Sequence, residues 1–326
     1  MDIYGTLGPA CSDGDTLQAM FRAGMTGVRL NLSHVALRDA GDQLDLLREA
    51  AARCGVQAKL LIDMQGPELR VGPLPSPLAL ETGGAVILGS GGVPVPALTL
   101  PHLRPGQEVL LDDGRLRLLV RENRGAAAEA AVIRGGLLQS RKSIALPGAD
   151  IRPPAMTDMD RANIRDAVRW GVTGVMQPFV RGREDLEAVR SALDAAGGTH
   201  IRLLAKIENL AGAENLDRLL PAADEIVIAR GDLGNAQPLW KLPALQKRIA
   251  ARCRAAGKPF MVVTQMLSSM EQSPVPTRAE VSDIFNAILD GASSVMVTGE
   301  TAVGRYPAEV IRYLANTARE AERFEV

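Results

Sequence analysis

The chain has 326 residues, 46% of them hydrophobic, and its 37 Lys and Arg residues nearly balance its 38 Asp and Glu residues, leaving a formal net charge of -1. This length suits one large domain with an insertion, and without a basic excess the chain lacks the electrostatic signature of a protein that binds nucleic acid or a membrane surface. Three widely spaced cysteines without a CxxC pair, no visible signal peptide and no apolar run near the ~20 residues of a membrane span predict a protein of the reducing cytoplasm.

Eight short apolar runs rich in Val, Ile and Leu alternate with helical stretches along the chain. Continuous apolar runs are typical of strands buried on both faces, and their alternation with helices predicts a parallel sheet. Eight such units close into an α/β fold of the (β/α)8 TIM barrel type, whose catalytic face is the rim at the carboxyl ends of the strands. The predicted strands are Ile3–Gly8, Gly27–Ser33, Lys59–Met64, Gly174–Phe179, Arg202–Glu208, Glu225–Asp232, Phe260–Met266 and Ser294–Glu300.

The alternation breaks once, directly after the third predicted strand. From about Val71 to Ala145 helical periodicity vanishes, and Gly, Pro and short apolar stretches take over. Short strands separated by turn residues predict a small inserted β-barrel domain that caps the carboxyl-terminal face. We therefore expect a barrel domain of residues 1–70 and 146–326 and a β cap domain of residues 71–145, with helix resuming near Asp158.

The strongest local signal is a lysine and two acids at the ends of neighbouring predicted strands. Lys206 and Glu208 are two residues apart, so in a strand they project together. Asp232 ends the next strand, and adjacent strands lie about 4.8 Å apart. Glu208 and Asp232 are therefore predicted to share a divalent cation such as Mg²⁺, with Lys206 supplying a positive charge for a phosphoryl group or an enolate. The alternative is a simple strand-end salt bridge of Lys206 with one of these acids.

A second group of polar residues follows the second and third predicted strands. Arg29 and Arg70 have permanently charged guanidinium groups, which can donate paired hydrogen bonds to phosphate oxygens. Asn31, Ser33 and Asp63 offer the oxygen ligands that a hard cation prefers. The alternatives are a solvated Arg70 and a turn-forming Asn31, and the neighbouring His34 alone is more typical of a structural histidine.

A third group lies at the ends of the last two predicted strands. Hydroxyls here, Thr264 among them, offer a path for a proton through water, and Glu300 is placed to anchor that water. Each of these residues is also compatible with a strand terminus followed by a helix cap. The chain contains no GxxxxGK[ST], GxGxxG after a strand, HExxH or GxSxG motif, so we predict that any nucleotide binds between barrel and cap.

Together these motifs resemble the pyruvate kinase family over the whole chain. The motifs that carry the resemblance are Thr6–Ala10, Ala23–Met25, Arg29–His34, Asp63 with Gly66–Arg70, Leu111–Gly114, Lys142 with Leu146–Gly148, Lys206–Asn209, Ala229–Gly234, Thr264–Leu267, Pro276–Glu280 and Gly299–Ala302. The resemblance implies transfer of a phosphoryl group from phosphoenolpyruvate to ADP, giving pyruvate and ATP through a Mg²⁺-stabilised enolate, with K⁺ as a second cofactor. Chemistry of this kind needs positioning and charge neutralisation rather than a covalent nucleophile.

The resemblance also implies a role for each matching residue. The implied catalytic residues are Lys206, Arg29, Thr264 and Glu300. The implied substrate-binding residues are Gly231, Asp232, Thr264 and Lys206. The implied nucleotide-binding residues are Pro9, His34, Arg70 and Lys142. The implied metal ligands are Glu208 and Asp232 for Mg²⁺ or Mn²⁺, and Asn31, Ser33, Asp63 and the backbone of Met64 for K⁺.

Several departures from the family pattern keep alternatives open. Met64 and Gln65 replace a Thr-Lys pair, Pro178 replaces a serine, and Asn235–Gln237 replaces Val-Glu-Ile. The carboxyl-terminal effector domain typical of the family is not seen, so we expect no allosteric control, and we expect a homo-oligomer, most simply a homodimer. The alternatives to a pyruvate kinase-like enzyme are a Mg²⁺-dependent aldolase, lyase or kinase acting on another 2-oxo acid or enol phosphate, and a non-catalytic homologue.

Overall fold

The computed structural model describes residues 1–112, 114–149, 151 and 153–324. In chain order, the strands of the described residues are β1 (Asp2–Thr6), β2 (Gly27–Asn31), β3 (Lys59–Asp63), β4 (Leu78–Leu80), β5 (Ala85–Gly89), β6 (Glu108–Leu111), β7 (Leu116–Asn123), β8 (Ala127–Arg134), β9 (Gly136–Leu138), β10 (Ile144–Ala145), β11 (Gly174–Gln177), β12 (Arg202–Ile207), β13 (Glu225–Ala229), β14 (Phe260–Val263) and β15 (Ser294–Met296).

The α-helices of the described residues are α1 (Gly14–Ala23), α2 (Gly41–Arg53), α3 (Asp158–Ala167), α4 (Arg183–Ala195), α5 (Leu210–Glu214), α6 (Leu216–Leu219), α7 (Arg230–Asn235), α8 (Leu242–Ala255), α9 (Arg278–Leu289), α10 (Gly299–Ala302) and α11 (Pro307–Arg323). Short 3₁₀ segments cover Pro9–Cys11, Leu37–Asp39, Ala97–His102, Leu239–Lys241 and Ser268–Glu271. Among the helices of the described ranges, none combines the length and the apolar character that crossing a membrane requires.

The chain divides into two compact units. The barrel unit consists of Met1–Gly66 and Ala155–Val326, and the inserted unit consists of Pro67–Pro154. In the barrel unit, eight parallel strands close into a barrel in the order β1-β15-β14-β13-β12-β11-β3-β2, and helices alternate with the strands along the chain. The predicted (β/α)8 fold is therefore confirmed. Its strands are mostly apolar because they are buried on both faces, as in β14, whose residues are all apolar and all buried.

All eight barrel strands end earlier than the sequence predicts, and three of them end three or four residues earlier. β13 stops at Ala229, because Arg230 already begins α7. β14 stops at Val263, because Thr264 and Gln265 have positive φ angles of 81° and 54°, which no extended strand can contain. β15 stops at Met296, and Gly299 begins α10. Residues predicted at strand ends thus lie in the turns just beyond them, at the same pole of the barrel.

The inserted unit is antiparallel β structure that follows β3. Its larger sheet has the order β10-β6-β7-β8-β5, and β4 pairs with β9 in a second, two-stranded sheet. Alternate residues of β7 are buried and exposed, as expected for a strand with one face on a core and the other in water. The unit has its own apolar cluster, which includes Val109, Leu118 and Ala130. The predicted inserted β structure is confirmed.

Candidate active site

The inner face of the barrel changes from apolar to charged towards the carboxyl ends of the strands. A buried apolar layer inside the barrel consists of Tyr4, Leu61, Met176, Leu204, Val227, Ala229, Met261, Val263 and Met296. Successive side chains of a strand alternate between its faces, so the residue two positions further along points to the same side. Two positions after Leu61 and Leu204 stand Asp63 and Lys206. These two charges therefore lie directly above the apolar layer.

Four of the predicted site residues form one ion network, which we call the charged cluster: Arg29, Asp63, Lys206 and Glu208. Arg29 donates to Asp63 Oδ2 from Nε at 2.8 Å and from Nη2 at 2.7 Å. Lys206 Nζ lies 3.1 Å from both Asp63 oxygens and 2.9 Å from Glu208 Oε1. The side chains of both acids are 3% exposed and those of both bases are 13% exposed. The strand-end salt bridge considered as an alternative is thus present, but Lys206 is shared by two acids.

Burial and charge act in opposite directions on the pKa values of this cluster. Burial alone would raise the pKa of the Asp63 carboxyl, but Lys206 and Arg29 outweigh burial and hold that pKa below its ordinary value. Burial alone would lower the pKa of the Lys206 ammonium, but Asp63 and Glu208 outweigh it and raise that pKa. Lys206 therefore keeps its proton at neutral pH and acts as a fixed cation rather than as a base.

We expect Asp63→Asn to lower the free energy of unfolding by about 3 kcal/mol or more at pH 7, because it leaves two largely buried cations with one fewer acid. Since the folded-state pKa of Asp63 is depressed, its contribution is present above about pH 4 and disappears as pH falls through the folded-state pKa. The difference between wild type and variant in urea unfolding should therefore shrink below about pH 4.

A matched control is Asp45→Asn, which removes an acid that is 71% exposed and paired with Arg48. This variant should change the free energy of unfolding by less than about 1 kcal/mol at every pH. A wild-type-to-Asp63→Asn difference that stays constant from pH 7 to pH 3 would contradict the assignment.

The second oxygen of Glu208 is held by the main chain. Oε2 accepts a hydrogen bond from the amide of Phe179 at 2.9 Å, and Phe179 itself has a positive φ of 52°. Glu208 follows β12 and the exposed Asp232 lies in the first turn of α7, directly after the neighbouring β13. Both predicted Mg²⁺ ligands thus follow adjacent strands at one pole. Two carboxylates are the protein ligands that Mg²⁺ ordinarily takes, with substrate and water completing its shell, so this donor set fits Mg²⁺.

The predicted K⁺ ligands lie on the neighbouring pair of strands. Asn31 and Asp63 are partners in the parallel register of β2 and β3, and the Leu32 amide donates to the Asp63 carbonyl oxygen at 2.9 Å. The Ser33 amide donates to Asn31 Oδ1 at 3.2 Å. The Met64 amide donates to the Met176 carbonyl oxygen at 3.2 Å, which fixes the chain just beyond β3. Amide, hydroxyl, carboxylate and carbonyl oxygens at the ends of these two strands are the kinds of donor that suit a hard cation.

Gly231 and Thr264, both predicted to contact substrate, are neighbours. A Cβ atom at position 231 would lie 3.0 Å from Thr264 Cγ2, closer than such contacts normally come. The strained turn at Thr264 is held by Arg230, which donates to the Thr264 carbonyl oxygen at 2.8 and 3.1 Å and to the Gln265 carbonyl oxygen at 3.1 Å. Arg230 is in turn paired with Asp283 at 2.6 Å. The Thr264 turn is therefore positioned by the guanidinium of Arg230, whose side chain is 10% exposed.

Glu300 is buried and bound to the main chain of two turns. Oε1 accepts from the Leu267 amide at 3.2 Å, and Oε2 accepts from the Thr298 amide at 2.7 Å and from Thr298 Oγ1 at 3.3 Å. The carboxylate thus ties the turn after β14 to the turn after β15. The geometry gives Glu300 a positioning role, and its predicted part in proton transfer remains a prediction.

The predicted nucleotide-binding residues are divided between the two units. In the barrel unit, Pro9 begins a 3₁₀ segment and His34 follows β2, and both are exposed. In the inserted unit, Arg70 pairs with Glu68 and donates to the Arg141 carbonyl oxygen at 2.8 Å. Lys142 pairs with Asp112 at 2.8 Å. The assignment of these four residues to a nucleotide remains a prediction.

Sequence reasoning missed three contributors to the site. The amide of Phe179 carries no side-chain signal, so no motif identifies it. The contact of Arg230 with the Thr264 turn depends on tertiary structure, so the sequence around Arg230 does not indicate it. Asp160 binds the turn after β3 through the Gln65 amide at 2.9 Å and the Gly66 amide at 3.1 Å. Its signal was the pattern Thr157-x-x-Asp160, a capping box that ordinarily serves only its own helix.

Comparison with known proteins agrees with this geometry. The family described as pyruvate kinase, barrel domain, matches residues 1–311. The pyruvate kinase of Geobacillus stearothermophilus is 38% identical over 332 residues, which cover 98% of this chain and 57% of that protein. The pyruvate kinase of Clostridium acetobutylicum is 36% identical over 327 residues, covering 97% and 69%. That of Methylorubrum extorquens is 38% identical over 330 residues, covering 98% and 68%.

The chain therefore spans 57% to 69% of the length of these relatives. The match nonetheless covers nearly all of its own residues, from β1 into α11. With a closed barrel and a charged cluster at its carboxyl pole, the chain belongs to the pyruvate kinase family.

Proposed function

We propose that this protein transfers a phosphoryl group from phosphoenolpyruvate to ADP, giving pyruvate and ATP. The observation that carries the proposal is the charged cluster, in which Lys206 stays protonated between Asp63 and Glu208 with Arg29 beside them. Lys206 would stabilise the charge on the phosphoryl oxygens during transfer, and Arg29 would bind those oxygens. When bound by Glu208 and Asp232, Mg²⁺ or Mn²⁺ would supply Lewis-acid neutralisation of the phosphoryl charge.

The remaining residues have proposed binding and positioning roles. The main chain at Gly231 and the side chain of Thr264 would seat the three-carbon part of the substrate, together with Asp232. A proton for the product carbon would pass through water near Thr264 Oγ1, with Glu300 holding the surrounding turns. Asn31, Ser33, Asp63 and the Met64 carbonyl would bind K⁺.

The proposed partners extend the same assignment. Pro9, His34, Arg70 and Lys142 would bind ADP and ATP, on the strength of the motif resemblance. We further propose a cytoplasmic location, because Cys11, Cys54 and Cys253 are all unpaired, as in a reducing compartment. The homodimer is proposed on the family resemblance alone. Light scattering of the purified protein tests the dimer.

The test of the function is a pyruvate-forming assay with phosphoenolpyruvate and ADP, coupled to a dehydrogenase. Turnover should require Mg²⁺ or Mn²⁺ and should rise when K⁺ replaces Na⁺. Calorimetric titration with ADP is the second measurement, because an aldolase or lyase on this barrel would need no nucleotide. Absence of both turnover and ADP binding would reject the proposal in favour of that alternative.

A further inference from the structure

We propose that Asp160, in the first turn of α3, is a positioning residue that orients the main-chain carbonyl oxygen of Met64 for K⁺. The inference rests on the proposed function, which assigns that oxygen to the K⁺ site. Asp160 is fully buried, and each of its carboxylate oxygens bonds to the turn after β3.

The Asp160 carboxylate accepts four hydrogen bonds from two segments that are distant in sequence. Oδ1 accepts from the Gln65 amide at 2.9 Å. Oδ2 accepts from the Gly66 amide at 3.1 Å, the Thr157 amide at 2.9 Å and Thr157 Oγ1 at 2.8 Å. All four donors are uncharged, so this buried acid is stabilised by hydrogen bonds, and each of these bonds to a carboxylate is stronger than one between neutral groups.

The bond to the Gln65 amide fixes the direction of the Met64 carbonyl. The Met64 carbonyl and the Gln65 amide belong to one planar trans peptide unit, in which C=O and N–H point in opposite directions. An N–H group aimed at Asp160 therefore aims the Met64 oxygen away from it. The Met64 amide is fixed from the other side by the Met176 carbonyl oxygen at 3.2 Å. With both adjoining amides bound, the Met64 oxygen has little freedom to rotate.

The same carboxylate also holds the point where the chain returns to the barrel unit. The chain leaves this unit after Gly66 and re-enters it at Ala155. Asp160 binds Gly66 on the outgoing segment and Thr157 on the returning one. The residues at the end of β11 contact both segments as well.

On the returning segment, Gln177 Nε2 donates to the Ala155 carbonyl oxygen at 2.8 Å. On the outgoing segment, Gly66 packs so closely on Pro178 that a Cβ atom at position 66 would lie 2.2 Å from Pro178 Cγ.

A capping box alone does not require this arrangement. In a capping box the third helical residue needs only to accept from the N-cap amide, and Asp160 does so with Oδ2. Its Oδ1 is left for the Gln65 amide. Helix α9 has the same arrangement. Glu280 forms a capping box with Thr277 and also accepts a hydrogen bond at 2.7 Å from the amide of Ser269, in the loop after β14. In both βα units, the helix that follows a strand thus holds the loop at that strand's end.

The experiment compares wild type with Asp160→Asn in two measurements. An asparagine has one acceptor oxygen and one NH₂ group, so at least one of the Gln65 and Thr157 amides would face a donor. Hydrogen exchange of the amide that faces the asparagine NH₂ group, either Gln65 or Gly66, should become about 10-fold faster or more when followed by NMR. The K⁺ concentration for half-maximal activity should rise about 10-fold or more, while KM for phosphoenolpyruvate changes by less than about 2-fold.

The matched control is Asp158→Asn, which removes the same charge from an exposed position in the same helical turn. Both measurements should stay at wild-type values in this variant. Unchanged exchange at Gln65 and Gly66 in Asp160→Asn would overturn the proposal, and so would faster exchange with an unchanged K⁺ requirement.

Hydrogen exchange can be measured in the wild-type protein alone, whether or not the protein shows turnover. If wild type shows no K⁺-stimulated turnover, the proposed function fails, while protection of the Gln65 and Gly66 amides still shows whether Asp160 holds the turn. If Asp160→Asn does not fold, the exchange rates in the wild-type protein are the test. Slow exchange of the Gln65 and Gly66 amides supports the proposal that Asp160 holds this turn, and exchange at the rate of an unprotected loop rejects it.

Discussion

Lys206→Met should lower kcat for pyruvate formation by about 10³-fold or more, the size of effect seen when a cation that stabilises a transferring phosphoryl group is removed. Methionine keeps the length and the apolar stem of lysine but has no charge. The protonated Nζ of Lys206 lies within 3.1 Å of both Asp63 and Glu208, so its position is set before substrate binds. Preorganised charge of this kind acts on the transition state more than on the bound substrate, and KM for phosphoenolpyruvate should change much less than kcat.

The same substitution should also destabilise the fold. Without Lys206, Asp63 keeps Arg29 and Glu208 keeps only the Phe179 amide among the partners described above. Loss of one partner from a buried ion network costs about 3–5 kcal/mol, which urea unfolding would measure at neutral pH.

Lys247→Met is the control for both kcat and the free energy of unfolding, because Lys247 is 58% exposed and pairs with Asp290 at 2.7 Å. It should leave kcat unchanged and alter the free energy of unfolding by less than about 1 kcal/mol. A folded Lys206→Met protein that retains more than a tenth of the wild-type kcat would remove Lys206 from the mechanism.

The barrel could be predicted because one physical requirement shapes all its strands. A strand enclosed on both faces is mostly apolar, and β14, which is buried at every residue, consists of Phe, Met and two Val residues. The strand ends were harder to predict, because propensity does not show where a non-glycine residue such as Thr264 adopts a positive φ. That conformation is maintained by Arg230 from another element, so it is a property of tertiary structure.

The candidate site was predictable only as far as neighbouring positions in sequence determine neighbouring positions in space. The two-residue spacing of Lys206 and Glu208 correctly placed both side chains together, as their 2.9 Å contact shows. The contact of Lys206 with Asp63 crosses β11 and depends on the closure of the barrel. Main-chain donors such as the Phe179 amide cannot be identified from residue type, because every residue except proline has a main-chain N–H group.

Arg29 illustrates how one residue can support two interpretations. The sequence predicted it as a phosphate ligand, and the structure pairs it with Asp63 through two of its nitrogens. Arginine has five N–H donors, so Nη1, which lies 3.4 Å from Thr6 Oγ1, still has hydrogen atoms for a phosphoryl oxygen. In the proposed function, Asp63 would therefore orient Arg29 for phosphate binding rather than compete with the phosphate.

Glu208→Gln should abolish measurable turnover, with a loss of about 10³-fold or more, because the several kcal/mol that a metal ion supplies depend on an anionic ligand at this position. Both oxygens of Glu208 accept hydrogen bonds, one from Lys206 and one from the Phe179 amide. A glutamine can satisfy only one of them, and its NH₂ group must face the other donor at a cost of about 1–3 kcal/mol. The measurement is kcat as a function of Mg²⁺ and Mn²⁺ concentration, beside Mn²⁺ binding followed by electron paramagnetic resonance.

The matched control for Glu208→Gln is Glu214→Gln, which changes an exposed acid at the end of α5, the helix that follows the same strand. It should keep wild-type turnover and wild-type Mn²⁺ binding, since a solvated acid outside the charged cluster contributes little to either. If Glu208→Gln binds Mn²⁺ as tightly as wild type, Glu208 is not a metal ligand. Its role would then be to hold Lys206, and Lys206→Met and Glu208→Gln together would lower kcat no further than Lys206→Met alone, because the two residues would act as one unit.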